Sequence, residues 1–281
     1  MSGVSEPTPP ARWRGLLATL TVTAALFAAS VLLAPAVAVP PLHGAALAFA
    51  LVSLAITGVA VLTPAAPGRQ LVGLLGPLLL LVGVVLVRPA LPVAVEACAI
   101  NLALLSFGAV LGSAIGGRVD HVGHLVLLAW VASVVDVVSV FAPEGPTAQV
   151  LASPEVALPL VTLSWPIFGS ASIEPLIGLG DITIAALFGA AARATHQSRA
   201  RVVVGLLAGF GLTFAALLVF QRALPALPML SVAVVLALAP QSLQVPVADR
   251  KKGFAFAGVL TALAALRLAA WAGFFDRLTN R

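Results

Sequence analysis

Three acidic side chains lie within long apolar stretches of the sequence. Asp136 lies in WVASVVDVVSVFAPEGP, Asp181 lies in PLIGLGDITIAALFGAA, and Glu96 follows RPALPVAV. Inside a membrane-spanning helix an ionisable group costs roughly 2.5–3.5 kcal/mol, so such a residue usually faces the protein interior and has a function. Glu96 follows two closely spaced prolines, and we expect it near the membrane surface in a structural role. Asp136 and Asp181 are therefore the candidates for chemistry.

The two aspartates are expected at the same depth in a membrane. Asp136 lies shortly before Phe141, where the chain leaves a helix, and Asp181 lies shortly after Pro175, where the chain re-enters one. At about 1.5 Å of helical rise per residue, both fall roughly 8–9 Å from one membrane face. This holds if the intervening segment returns to the face from which it started. Two carboxylates at equal depth on consecutive helices can meet.

A pair of carboxylates in a low-dielectric site supports acid–base chemistry. Both cannot ionise at close range, so the pair shares one proton. The ionised member can take a proton from a bound water while the protonated member donates to the carbonyl under attack, as in aspartic proteases. Two other interpretations stay open from these residues alone. Each acid could bond to a neighbouring helix, or the pair could carry protons or ions in a transporter.

The composition indicates an integral membrane protein. Of the 281 residues 61% are apolar and only 9% are charged, and the mean hydropathy is +1.13. Soluble domains need far more charge on their surface, whereas apolar runs near 20 residues cross a bilayer as helices. We predict an all-α polytopic transmembrane bundle of about nine helices. The predicted spans are 15–39, 44–64, 70–87, 91–115, 122–142, 176–194, 201–221, 226–241 and 253–275.

Two further features bear on how these helices pack. The apolar segment 156–169 contains two prolines, and we predict that it is re-entrant or interfacial. Glycines recur every fourth residue in 108–116 and in 205–209. Such spacing lets helix backbones approach closely in lipid, although glycine is also simply common in membrane helices.

The charged residues indicate topology and exclude other partners. The net charge is +5, but the basic residues are spread over short loops, so we expect no nucleic-acid partner. The basic residues fall mainly on the same side of the membrane as the N-terminus, which predicts a cytoplasmic N-terminus. The first apolar run is longer than a signal-peptide core, which favours a retained span over a cleaved signal. A single cysteine excludes an intramolecular disulfide, and the histidines show no metal-ligand spacing, so no metal is expected.

Three motifs carry a resemblance to a known family. Residues 178–181 read GLGD, the form of the GxGD motif in presenilins and signal peptide peptidases. Residues 225–227 read PAL, a motif that those families place further along the chain. SVVDVVSVFAPEGP resembles the presenilin helix that carries the other aspartate. The order of the motifs agrees as well, and the resemblance covers residues 122–245.

The resemblance implies an intramembrane-cleaving aspartyl protease with a presenilin-like fold, in which Asp136 and Asp181 form the catalytic dyad. Its partners would be transmembrane protein or peptide substrates in the lipid bilayer, and no cofactor would be needed. Glycines at 178 and 180 would let a substrate backbone approach and would favour an extended stretch that pairs with it. The residues implied to contact substrate are Gly178, Leu179, Gly180, Pro225, Ala226 and Leu227.

The sequence also departs from the family pattern. Val135 replaces the aromatic residue that usually precedes the first aspartate, and no long loop separates the two aspartate helices. We predict three regions: membrane helices of unassigned role in 1–121, a catalytic region in 122–245, and an extra C-terminal helix in 246–281. The alanine- and arginine-rich composition is typical of a GC-rich prokaryotic genome, so we expect a multi-pass protein of the cell membrane. A proton- or ion-coupled transporter and a non-cleaving protein that binds membrane segments are the alternative functions.

Overall fold

A computed structural model describes residues 9–64, 70–142, 144–152, 157–221 and 224–271. The described chain is mostly helical, and seven of its helices are long and apolar enough to cross a membrane. This pattern is that of a multi-pass membrane protein, as the composition predicts; the count of nine spans stays a prediction. The seven candidate spans are Trp13–Ala36, Pro41–Leu62, Gly73–Ala90, Val93–Gly116, His124–Phe141, Arg199–Phe220 and Val247–Trp271.

Most helices overlap the predicted spans, although the span predicted at 226–241 contains only an 11-residue helix, Leu227–Ala237, which is shorter than a membrane crossing needs. The helices are α1 (Pro9–Leu33), α2 (Pro41–Leu62), α3 (Gln70–Val87), α4 (Val93–Gly116), α5 (His124–Phe141), α6 (Pro146–Ala152), α7 (Leu158–Val161), α8 (Leu179–Ala194), α9 (Arg199–Phe220), α10 (Leu227–Ala237) and α11 (Val247–Trp271). Short 3-10 helices occupy Ala34–Ala36, Arg88–Ala90 and Gln241–Leu243.

A two-stranded antiparallel hairpin interrupts the helices. Strands β1 (Thr162–Pro166) and β2 (Ile173–Gly178) pair with each other, and β2 runs directly into α8. The segment predicted as re-entrant or interfacial therefore contains the short helix α7 and the strand β1. The helix predicted to begin at residue 176 begins instead at Leu179. Residues Ile173–Gly178 are instead extended, because they pair with the backbone of β1.

Contacts divide the chain into two compact units. The first comprises Met1–Arg118 and Val161–Ala194, so that it holds α1 to α4, the hairpin and α8. In this unit α8 packs against α4 through the predicted glycine stripe. A Cβ at Gly108 would meet the side chain of Ile182, and at Gly112 it would overlap the Thr183 carbonyl oxygen. Glycine at these positions is therefore required by close helix packing.

The second unit comprises Val119–Leu160 and Thr195–Arg281, and its described part holds α5, α6, α9, α10 and α11. Here α9 packs against α10 through the other glycine pair. A Cβ at Gly205 would lie 2.9 Å from the Val234 Cα atom, and at Gly209 it would lie 2.6 Å from the Leu230 Cα atom. The three regions predicted from the sequence were defined by their expected roles and not by contacts. They stay a prediction.

Candidate functional site

Asp136 lies in the second half of α5, with its side chain half-buried. The backbone N–H of Leu227 donates a hydrogen bond of 2.9 Å to Asp136 Oδ2. Leu227 is the first residue of α10, and its N–H is one of those that a helix cannot satisfy internally. The carboxylate thus lies at the positive end of a helix dipole, where a negative charge is stabilised. This contact joins the first aspartate to the PAL motif.

The tetrapeptide PALP occurs twice in the chain, at 89–92 and at 225–228, and the two copies differ in structure. In the first copy Leu91 is extended, its N–H bonds to the Arg88 carbonyl, and α4 begins after Pro92. In the second copy the helix begins at Leu227, whose N–H bonds to the Asp136 carboxylate. The sequence of the motif therefore does not dictate its conformation, and the carboxylate partner distinguishes the second copy.

The side chains of the PAL motif differ in accessibility. Pro225 and Leu227 are buried, and Ala226 is half-buried. Of the three residues of the motif, only Ala226 is therefore partly accessible.

Asp181 lies in the first turn of α8, directly after β2. The backbone N–H of Gly178 donates a hydrogen bond of 3.2 Å to Asp181 Oδ2. A side chain at the third helical position that reaches back to the N-terminal flanking residue is one half of a capping box. The GLGD motif thus forms the turn from strand to helix, and the carboxylate stabilises the helix start.

The two glycines of GLGD are not explained by crowding. A Cβ at Gly180 would meet nothing within 4 Å, and a Cβ at Gly178 would make only an ordinary contact, 3.6 Å from Asp181 Oδ2. Gly180 is exposed, and Leu179 is half-buried. The surface next to the Asp181 carboxylate is therefore bare backbone.

The hairpin that precedes Asp181 is irregular and firmly held. Ser164 pairs with Pro175 and Leu163 pairs with Ile177, so Leu176 is an extra residue on β2. A bulge of this kind redirects the strand that carries it.

Asn101, buried in α4, holds β1 at the same point as the bulge. Its Nδ2 donates to the Ser164 carbonyl at 2.7 Å, and its Oδ1 accepts from the Ser164 N–H at 2.9 Å. Trp165, also on β1, donates from Nε1 to the Ser30 hydroxyl at 3.2 Å and packs edge-on against Phe27. β1 is thus fixed to α4 and to α1.

Sequence reasoning missed Asn101 and one other anchoring residue. Arg193, near the end of α8, donates from Nη1 to the Ala60 and Val61 carbonyls at 2.8 and 3.0 Å. These carbonyls end α2, where a cation complements the helix dipole. A polar amide within the apolar run of α4 is the same kind of anomaly as the aspartates, and that signal could have revealed Asn101.

Glu96, the third acid of the long apolar stretches, has a local partner. It lies in the first turn of α4, and Arg88 Nε lies 2.7 Å from Glu96 Oε1. This contact ties the 3-10 turn before α4 to the helix, which agrees with a structural role. Among the residues that the structure describes, no group of three or more His, Cys, Asp and Glu side chains could hold a metal ion.

The structure thus brings Asp136 together with Leu227 and Asp181 together with Gly178. Asp136 belongs to the second unit and Asp181 to the first, and the meeting of their carboxylates stays a prediction. The chain matches no family model, and comparisons with curated proteins and with solved structures find no match either. The function must therefore be argued from the chemistry of these two sites.

Proposed function

We propose that this protein is an intramembrane aspartyl protease that hydrolyses peptide bonds in or near the transmembrane segments of other proteins. The observation that carries the proposal is the hydrogen bond from the Leu227 N–H to Asp136 Oδ2. It joins two motifs that are 91 residues apart and that the resemblance to presenilins and signal peptide peptidases treats as one catalytic region. A chance occurrence of PAL, such as the copy at 89–92, has no such partner.

The proposed mechanism assigns the chemistry to Asp136 and Asp181 sharing one proton. One carboxylate removes a proton from a water molecule, and the other donates a proton to the carbonyl oxygen of the scissile bond. The hydrogen bond from Leu227 and the N-terminal end of α10 stabilise negative charge on Asp136. The Gly178 N–H and the first turn of α8 do the same for Asp181. Each acid is thus oriented by a separate helix start.

The proposed substrate is a transmembrane helix that unwinds locally, because an intact helix encloses its carbonyls in hydrogen bonds. An extended peptide can add to the edge of a sheet through main-chain hydrogen bonds. β2 leads directly to Asp181, and the bare backbone at Gly180 leaves room for a peptide next to the carboxylate. Specificity would then depend on ease of unwinding more than on side-chain pockets.

The finer architecture follows from the same proposal. We infer a presenilin-like bundle of about nine spans in a prokaryotic cell membrane, with a cytoplasmic N-terminus. Helix α8 would then count as a span. It has 16 residues, just below the range of about 17–25 for a spanning helix, and it packs against α2 and α4.

A cleavage assay in lipid tests the proposal. The purified protein is incubated in bilayers with a labelled transmembrane peptide, and the products are identified by mass spectrometry. We expect cleavage that is lost in Asp136→Ala and in Asp181→Ala, and that is blocked by hydroxyl-bearing transition-state mimics. Activity that survives either substitution would contradict the dyad.

A flux assay on the same vesicles distinguishes a protease from a transporter, which is the main alternative function. Proton or ion uptake that vanishes in Asp136→Asn, with no peptide cleaved by the wild-type protein, would show a transporter instead. Peptide binding without cleavage or flux would show a protein that recognises membrane segments.

A further inference from the structure

An apolar groove runs between α5 and α10, which both belong to the second unit. Its volume is about 340 Å³, within the range of roughly 300–1,000 Å³ that is typical of ligand sites. Two serines add little polarity, because the Ser133 hydroxyl donates to the carbonyl of Ala129 in its own helix and Ser231 is only 2% exposed. The apolar walls of this α5–α10 groove include Val126, Ala129, Val134, Val232, Val235 and Leu236.

The groove extends from one membrane face towards the middle of the bilayer. α5 begins at His124, and the residues of α5 that line the groove run from Val126 to Val134. At 1.5 Å of rise per residue they cover about 12 Å along the helix, and one leaflet contributes about half of the roughly 30 Å of hydrocarbon. Val232 and Leu236 are exposed, so the groove is open at its side. Its depth, opening and apolar walls fit one acyl chain of a lipid whose headgroup lies near the start of α5.

Helix α11 starts at this same end of the groove. His124 Nε2, on the first residue of α5, lies 3.1 Å from Asp249 Oδ2 in the first turn of α11. Further along both helices Trp130, which lines the groove, donates from Nε1 to the Thr261 hydroxyl at 2.8 Å. α11 therefore runs beside α5 in the same direction, and its first turn lies at the surface end of the groove.

That first turn carries three consecutive basic residues, Arg250, Lys251 and Lys252, which we call the basic cluster. All three are exposed, and the acid next to them, Asp249, is already paired with His124. Basic residues directly beside a membrane span attract the headgroups of anionic lipids. The surface end of the groove therefore favours a negatively charged headgroup.

We propose that the second unit binds one anionic phospholipid, with its phosphate at the basic cluster and one acyl chain in the α5–α10 groove. The charge of the cluster selects the headgroup, and the groove holds the chain by apolar contact. A zwitterionic lipid fits the groove equally well but gains less from the cluster. Binding of the lipid goes beyond the proposed protease function and does not depend on it.

Native mass spectrometry of the purified full-length protein tests the choice of headgroup. The probes are dioleoyl phosphatidylglycerol and dioleoyl phosphatidylcholine, which differ in charge and share their acyl chains. We expect the wild-type protein to bind the phosphatidylglycerol roughly tenfold more tightly, because three basic residues face its phosphate. Equal affinity for the two lipids would overturn the inference.

A double substitution of the basic cluster locates the headgroup. Lys251→Gln with Lys252→Gln should weaken phosphatidylglycerol binding roughly 10- to 30-fold and leave phosphatidylcholine binding nearly unchanged. The matched control is Arg199→Gln with Arg201→Gln, which removes two exposed charges from the start of a different helix, α9. An equal loss in both double variants would contradict a site at the basic cluster.

A bulky side chain in the groove tests the position of the acyl chain. Val235→Trp should fill part of the groove and weaken the binding of both lipids roughly tenfold, because the chain loses apolar contact. Val204→Trp is the control, since Val204 is exposed on α9. Thermal unfolding shows whether each variant folds. Unchanged lipid binding in a folded Val235→Trp protein would overturn the inference.

Photo-crosslinking of the wild-type protein gives the same answer without a variant. A phosphatidylglycerol with a diazirine in its acyl chain should label 126–134 and 228–236, as identified by peptide mass mapping. Labelling that is equally dense on α9 would contradict a specific site. Labelling of the groove by a transmembrane peptide that carries the same diazirine, with none by the lipid, would show a peptide site and would also overturn the inference.

Discussion

Each candidate acid accepts a hydrogen bond from a backbone N–H at the start of a helix, but one donor is close in sequence and the other is distant. Asp181 accepts from Gly178, three residues earlier in the same turn, so the GLGD motif contains both partners. Asp136 accepts from Leu227, 91 residues later, so its partner exists only when α5 and α10 pack together. One site is therefore formed locally by its own sequence, and the other depends on the tertiary packing of its unit.

The helix packing that supports each acid is also distinct. In the first unit the glycine stripe of α4 admits the backbone of α8, which begins at the GLGD turn. In the second unit Gly205 and Gly209 of α9 admit the backbone of α10, which begins at the PAL motif. Substitutions can therefore disturb one acid without touching the other.

The largest effect on stability is expected from Gly112→Ala. Its Cβ would overlap the Thr183 carbonyl oxygen and lie 2.8 Å from the Ala186 Cβ, so α8 would have to move. We expect the free energy of unfolding to fall by about 1–3 kcal/mol, as for other overpacked positions, and cleavage to fall with it. Thermal unfolding in detergent measures the first effect and peptide cleavage the second.

Gly211→Ala is the control for that experiment, because a Cβ at this α9 position would meet nothing within 4 Å. It should be neutral or slightly stabilising, since alanine favours helices. Equal losses in Gly112→Ala and Gly211→Ala would show that the α4–α8 packing does not support the Asp181 region.

Gly180→Ala should affect activity and stability differently at the Asp181 site. A methyl group there has open space, so stability should stay the same or rise by about 0.4–1 kcal/mol. If a peptide backbone approaches this bare surface, the same methyl group should lower kcat/KM by roughly tenfold. Unchanged kcat/KM in Gly180→Ala would show that substrate does not pass next to Gly180.

A final comparison distinguishes asparagine from alanine at each acid. Asparagine keeps an oxygen that can accept from Leu227 or Gly178, whereas alanine leaves that N–H without its partner. We expect the Asn variants at positions 136 and 181 to be more stable than the Ala variants by about 1 kcal/mol, while all four lose cleavage. Equal stability of the Asn and Ala variants in thermal unfolding would mean that these hydrogen bonds contribute nothing to the fold.

The helical spans could be predicted from the sequence because lipid imposes a length and an apolar composition on each of them. The predicted span 70–87 coincides with α3, and 201–221 nearly coincides with α9. The packing role of the glycines at 108–116 could also be anticipated from their spacing, although only the structure shows that α8 is the helix they admit.

The hairpin and the partner of Asp136 could not be predicted in the same way. β1 is a five-residue strand within a proline-broken apolar run, and it is held in place by bonds to Asn101, which lies 63 residues earlier in the chain. The two copies of PALP are identical in sequence, yet only the copy at 225–228 meets a carboxylate. Contacts between distant residues decide both cases.

The central claim is that Asp136 and Asp181 act as one pair, and the distance between their carboxylates tests it most directly. The measurement is a crystallographic or cryo-EM structure of the protein bound to a hydroxyl-bearing transition-state mimic. The account predicts that both carboxylates lie within about 2.6–3.2 Å of the same hydroxyl oxygen. Carboxylates that lie in separate surroundings, with the mimic bound at neither, would contradict it.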